Sequence, residues 1–281
     1  MTGPGRSTLR AARSILLAAF VALALLPIYW MVVTALRPSQ VVMAWPPHLL
    51  PSAADLTLEP ALSVVHDSPI GTWLANAIII AVATTVLTVV VATLAGYALS
   101  RSRRPWTTAM GYLVLASKLL PATLLVMPLY IIFHDLGLLS GRLSLITAIL
   151  ANMSFAVPFA TWMMKAFFDG VPVEIEEAAL VDGSGILRAL VTVILPVTLP
   201  AIAAVCVYVF IVSWNDFIFA RTFLPGGDMT TIAVASTQFL SNVEPAWNKV
   251  MVVATIAAMP VLVFFFFLER YFVSGLTRGH H

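Results

Sequence analysis

Six stretches of this sequence run for more than about 20 residues with almost no ionisable side chain, the length a helix needs to cross the hydrocarbon core of a bilayer. They cover about 14–35, 72–99, 106–133, 143–168, 199–220 and 250–273. Lipid offers no hydrogen bonds to a bare backbone, so a segment of this kind spans as a helix that satisfies its own N–H and C=O groups. The predicted fold class is an all-α polytopic membrane protein with six transmembrane helices. Composition points the same way: 60% of residues are hydrophobic and 10% charged, and mean hydropathy is +0.99, whereas soluble chains have about 45–50% apolar and about 25% charged residues. The loops left over are too short for a catalytic domain, so one membrane domain is expected at 14–279, after an N-terminus of 1–13. The formal net charge of +2 says little about partners, since most basic residues flank spans, and no nucleic-acid partner is expected. The single cysteine, Cys206, excludes an intrachain disulfide and reads as a small packed hydrophobe.

The flanking charges orient the spans. Arg6, Arg10 and Arg13 precede the first run, which is too long for a signal peptide and lacks a following small-residue cleavage pattern. With both termini inside, ten basic residues face the cytoplasm: those three with Arg101, Arg103, Arg104, Lys165, Arg188, Arg270 and Arg278. Four face out, namely Arg37, Arg142, Arg221 and Lys249. The positive-inside rule favours this topology. It places loops 37–69 and 221–249 outside and 172–196 inside. The first loop holds six prolines and has room for one short surface helix.

Residues 172–196 are an acidic, polar island in this apolar chain. Pro172 suits a helix start, and Glu174, Glu176 and Glu177 load the first turns, where the helix dipole favours negative charge. Gly183 and Gly185 end that helix, and a second short one is predicted over Ile186–Val193, leading to Pro196. Two short angled helices between spans make a knob at the membrane surface, with the look of a docking element.

The spacing inside the knob resembles a known family. Glu177-Ala178-Ala179, then Gly183 after three residues, then Val193-Ile194-Leu195-Pro196, is similar to the EAA loop of the membrane-spanning subunits of binding-protein-dependent ABC importers, type I, whose pattern ends in I-x-L-P. Asp182-Gly183 and Trp214-Asn215-Asp216-Phe217 resemble the carbohydrate branch, as do Trp73-Leu74-Ala75-Asn76, Pro121, Pro128-Leu129-Tyr130, Pro158 with Trp162, and Gly275-Leu276-Thr277. The resemblance implies a permease subunit without ATPase activity in the bacterial or archaeal cytoplasmic membrane. Its implied partners are a second homologous permease, two ABC ATPases that hold ATP and Mg²⁺, an extracytoplasmic binding protein, and membrane lipid. Glu176, Glu177, Ala178, Ala179, Asp182, Gly183, Leu195 and Pro196 are its expected ATPase-coupling residues.

The chain itself offers no site for ATP: neither Gly183-Ser184-Gly185 nor Gly226-Gly227 is followed by the Lys-Ser or Lys-Thr of a phosphate loop. Five histidines lie scattered without ligand spacing, and no nucleophile-base pair is evident, so neither a metal nor a bound cofactor is expected. Charge within a span is costly, which makes Lys118 and Asp216 the pathway candidates, together with Trp214 and Asn215. Each has a second reading: Lys118 as an interhelical tie, Asn215 and Asp216 as a polar clamp, Trp214 as packing. Pro121, Pro128, Pro158, Pro196, Pro200 and Pro260 are expected to kink or break helices. Pro225, Gly226, Gly227 and Asp228 have the composition of an exposed turn and are the expected binding-protein contact. The rival from another class is an ion-coupled secondary transporter acting alone. It is disfavoured because ion coupling draws on several membrane carboxylates and Asp216 is nearly the only one.

Overall fold

The computed structural model describes residues 4–45, 50–102, 104–240 and 245–277. Arg103 and Arg278, counted above for orientation, lie outside them. The chain divides into two compact units, Met1–Ile70 with Ser236–Ala258, and Gly71–Ala235 with Met259–His281.

In the first unit, helix α1 (Pro4–Ala35) runs unbroken through Pro27. The loop expected to hold one surface helix holds more: a turn of helix at Ser39–Val42, a 3₁₀ turn at Ala53–Asp55, and α2 (Glu59–Asp67). Asn248 ties this unit together. It is 3% exposed, its Nδ2 donates to the Arg37 carbonyl at 3.0 Å, and its Oδ1 accepts from Ser39 Oγ at 3.1 Å. A buried amide that uses both ends in this way fixes two segments far apart in sequence.

The second unit contains α3 (Ile70–Arg101), α4 (Pro105–Ala116), α5 (Ala122–Asp135), α6 (Leu143–Asp169), α7 (Val173–Val181), α8 (Ile186–Val197), α9 (Leu199–Trp214) and α10 (Ile218–Phe223). The last helix, α11 (Trp247–Thr277), belongs in part to each unit. Among the described residues no strand occurs, only one isolated bridge between Gly226 and Met229. Four helices are long and apolar enough to cross a membrane: Leu9–Ala35, Ile70–Arg101, Leu143–Asp169 and Trp247–Phe267. Two bent pairs, Trp106–Leu119 with Ala122–Asp135 and Ile186–Val197 with Leu199–Trp214, make six if each pair is one span.

Three expectations are corrected. The third span is not a continuous helix over 106–133, because it turns by 97° between its halves. The residue before a proline is pushed from helical to extended backbone; Leu120, before Pro121, sits at φ −74°, ψ 125°. The fifth span ends at Trp214 rather than Ala220, and a three-residue interruption separates it from α10. The second knob helix also runs past Val193 to Val197, with a π turn at Leu190–Ile194, before an 81° bend. Pro196 has no N–H and its ring crowds the preceding turn, and the wider π turn just before it gives that ring room. Pro128, Pro158 and Pro260, by contrast, lie inside unbroken helices.

The core of this unit joins α3, α6, α8 and α9 through Tyr97, Met164, Phe168, Leu190, Ile194 and Val205. Gly96 sets how closely α3 meets α6. A Cβ there would lie 2.8 Å from Met164 Cβ, 2.9 Å from the Lys165 amide nitrogen and 3.0 Å from the Thr161 carbonyl. Two of those atoms are backbone and cannot swing aside, so only glycine permits the approach. Gly96→Val is therefore expected to cost at least about 1–3 kcal/mol by overpacking. The thermal unfolding midpoint in detergent measures this, with Gly71→Val as the control, since nothing lies within 4 Å of a Cβ at Gly71.

Candidate functional site

The acidic knob takes its shape from its two ends. Pro172 is the N-cap of α7, with φ −55° and ψ 133°. At the other end the Gly183 N–H donates to the Leu180 carbonyl and the Ser184 N–H to the Ala179 carbonyl, both at 3.0 Å. That is the Schellman arrangement, which requires a left-handed residue between cap and return. Gly183, at φ +85°, supplies it.

The carboxylates of α7 do not share one face. Glu174, Glu177 and Asp182 are exposed, together with Ala178. Glu176, expected alongside Glu177 at a partner face, is instead turned inward and is 7% exposed. Its Oε2 accepts from Arg101 Nε at 2.7 Å, and its Oε1 accepts from the Tyr97 hydroxyl. Arg101, the last residue of α3, also donates through Nη1 to the Phe168 carbonyl at 3.0 Å and through Nη2 to the Val171 carbonyl at 3.3 Å. Helical spacing explains the split, since Glu176 and Ala179 fall three residues apart on the buried side while Glu177 and Ala178 point away. Leu195 packs against the α3–α6–α9 core and Pro196 is exposed.

Neither Arg101 nor Tyr97 was legible as a partner for the knob. Arg101 reads in the sequence as one of a basic cluster that ends a span, and nothing in the local pattern says that its side chain folds back over the end of α6.

Lys118 lies in the 3₁₀ turn Ser117–Leu119, at the break of the bent third span. Its Nζ stands 3.2 Å from the centre of the Phe155 ring and 6.0 Å from that of Tyr208. Tyr208 packs in turn on Phe159, with ring centres 4.7 Å apart. Three segments, the α4–α5 break, α6 and α9, thus meet around one half-buried ammonium, and ring faces give it part of the compensation that water would.

Asp216 does a different job. Its Oδ1 accepts from the Phe219 N–H at 3.2 Å, and its Oδ2 from the Ala220 N–H at 3.0 Å and Asn152 Nδ2 at 3.3 Å. It thereby caps α10 and ties it to α6, which matches the polar clamp among the readings of the sequence. Asn215 donates to the Ile211 carbonyl at 2.9 Å, and Trp214, 6% exposed, stacks on Phe210. Lys118 and Asp216 are not brought together.

At the turn after α10, Pro225, Gly227 and Asp228 are exposed and Gly226 is half-buried. The turn does not hang free. Trp73 Nε1 donates to the Gly227 carbonyl at 2.9 Å, and Asn76 Nδ2 donates to the carbonyls of Asp228 at 2.9 Å and Thr230 at 3.0 Å. The Trp-Leu-Ala-Asn stretch at the start of α3 therefore holds this loop in place through backbone carbonyls, while Pro225 and Asp228 stay exposed. Among the described residues no cluster of His, Cys, Asp and Glu is arranged to hold a metal ion.

With this geometry in view, comparison with known proteins is direct. The family model described as "Binding-protein-dependent transport system inner membrane component" matches residues 88–278. The maltodextrin transport system permease protein MdxG of Bacillus subtilis is 37% identical over 213 residues, 74% of each chain. The trehalose/maltose transport system permease protein MalG of Thermococcus litoralis is 30% identical over 258 residues, 91% of this chain and 90% of that one. In structure, the chain resembles one in a crystal structure of a bacterial ABC transporter involved in the import of the acidic polysaccharide alginate. The TM-score is 0.76, with 22% identity, covering 97% of this chain and 99% of that one. The family match spans the clamp and the whole knob as well as most of the membrane helices, and the chain belongs to the binding-protein-dependent transport system inner membrane components.

Proposed function

We propose that this chain is the permease subunit of an ATP-driven importer for a sugar, an oligosaccharide or a related polyol or glycerophosphodiester. Its membrane is the cytoplasmic membrane of a bacterium or archaeon, with both termini and the 172–196 loop on the cytoplasmic side and 14–279 as one permease domain. It works with a second homologous permease, two ABC ATPases and an extracytoplasmic binding protein. The observation that carries the carbohydrate reading is similarity along most of the chain to permeases named for maltodextrin and for trehalose and maltose. ATP and Mg²⁺ are held by the ATPase subunits, and this chain hydrolyses nothing.

The knob is the element that the ATPases move. Glu177 and Asp182 offer exposed carboxylates to a basic groove, and the exposed Ala178 lets such a surface approach closely. Glu177→Lys reverses charge at the contact and should release the ATPase subunits or uncouple hydrolysis from transport, read as co-purification and as substrate accumulated per ATP. Normal transport with the ATPases still bound would exclude this role.

On the other side of the membrane, Pro225, Gly226, Gly227 and Asp228 form the contact for the binding protein, held in place by Trp73 and Asn76. Gly227→Cys in a Cys206→Ser background should react with a membrane-impermeant thiol reagent on whole cells, and more slowly when liganded binding protein is docked. Absence of labelling from outside would reverse the topology.

Lys118 lines the pathway at the broken third span, whereas Trp214, Asn215 and Asp216 hold the α9–α10 junction together. Irregular backbone is tolerated at membrane depth where it borders protein or a water-filled cavity, and broken helices mark binding regions in several transporter folds. Lys118→Met keeps side-chain length and removes the charge. The expected result is an assembled complex with basal ATPase activity unchanged and altered transport kinetics. Loss of assembly would make the lysine a structural tie.

A further inference from the structure

The groups that hold α7 in place are not those that face a partner. We infer that Arg101 and Glu176 are positioning residues for coupling, making α7 and the ends of α3 and α6 one rigid body, so that force applied at Glu177 reaches the membrane helices. This rests on the reading that α7 docks against the ATPase.

α7 is attached to the spans through short links at its two ends. Glycine flanks it on both sides, Gly170 before Pro172 and the Gly183-Ser184-Gly185 run after it, and both ends of that run are exposed. A nine-residue helix with such flanks can swivel when pushed, and the push is then absorbed locally. Apolar burial of Ala179 opposes sliding only weakly, because an alanine has little surface to interlock.

The ionic contact resists that swivel. Arg101 uses all three guanidinium nitrogens: Nε on Glu176 of α7, Nη1 on the Phe168 carbonyl near the end of α6 and on the adjacent Ser100 hydroxyl, and Nη2 on the Val171 carbonyl in the link between α6 and α7. The second oxygen of Glu176 is taken by Tyr97, one turn back along α3. A planar fork with fixed donor directions defines orientation as well as distance, which a point charge such as an ammonium does not. The Arg101 and Glu176 side chains are only 14% and 10% exposed, so water competes little for these bonds. A pair this buried contributes modestly to net stability, because desolvation offsets much of the attraction; what it supplies is a single defined geometry. The neighbouring Lys165–Asp169 pair, at 2.6 Å, lies within α6.

The test uses the complete transporter in proteoliposomes with its binding protein. Arg101→Lys keeps the charge and loses the fork; Glu176→Gln keeps the shape and loses the charge. Each is expected to leave the complex assembled by size-exclusion chromatography and to lower substrate transported per ATP hydrolysed by at least about fivefold, the lower end of ordinary coupling between sites. An unchanged ratio in both variants overturns the inference. Failure of both to assemble also overturns it, since the pair would then be a folding tie. Docking is checked separately by Ala178→Cys in a Cys206→Ser background with a thiol-to-amine cross-linker. Cross-linking to the ATPase in otherwise unaltered protein and in both variants is expected. No cross-link in any of them would defeat the docking reading itself, whatever the ratio.

Discussion

A backbone that lies in lipid must satisfy its own hydrogen bonds, and three breaks in the helices among the described residues are each met by a specific compensation. Thr198, at the 81° bend, returns both its N–H and its hydroxyl to the Ile194 carbonyl, at 3.0 and 2.9 Å. Asp216 takes up two N–H groups at the start of α10. At the Pro121 break the Leu120 N–H reaches back to the Ser117 carbonyl at 3.3 Å, and the Leu124 N–H to the Pro121 carbonyl at 3.0 Å. Leaving such groups unpaired in hydrocarbon would cost several kcal/mol each. Lys118 and Asp216 both sit at such breaks rather than inside a regular helix.

The knob follows a related logic at the membrane surface. An acidic helix beside the ends of two spans needs something to hold it, and it also needs something to offer. The 3.6-residue period divides these tasks between neighbours in sequence: Glu176 turns in to Arg101 and Tyr97, and Glu177 turns out. The same guanidinium reaches the Phe168 carbonyl in the last turn of α6, one of the groups that a helix terminus leaves without an intrahelical partner. One side chain thus closes the end of a span and anchors the helix that follows it. Close packing of α3 on α6 at Gly96 brings Tyr97 and Arg101 within reach of that anchor.

At the far end of α3 a comparable division holds. Trp73 and Asn76 use side-chain donors to grip the carbonyls of the turn after α10, which leaves the side chains of Pro225 and Asp228 outward. In both places the framework residue bonds to backbone or to a buried oxygen and leaves other side chains of the same segment exposed.

By itself the sequence determined the class and the order of elements. Apolar length, basic flanks and the Pro172-to-Gly183 punctuation are local signals, and local signals set where a helix begins, what solvent it tolerates and where it ends. The second, fourth and last spans are accordingly close to their expected bounds, while the first helix keeps its expected end at Ala35 but begins at Pro4. Tertiary structure alone decided what the polar residues inside that plan are bonded to. Pro121 carries a break in its sequence, but whether a proline bends a span by 97° or sits inside an unbroken helix, as Pro128 and Pro158 do, depends on the helices packed around it. Glu176 and Glu177 are the same residue type one position apart, and only the approach of α3, 75 residues away along the chain in the Arg101–Glu176 bond, assigns one to the interior and leaves the other exposed. Pairings over such separations arise from packing geometry, which no local pattern of residues encodes.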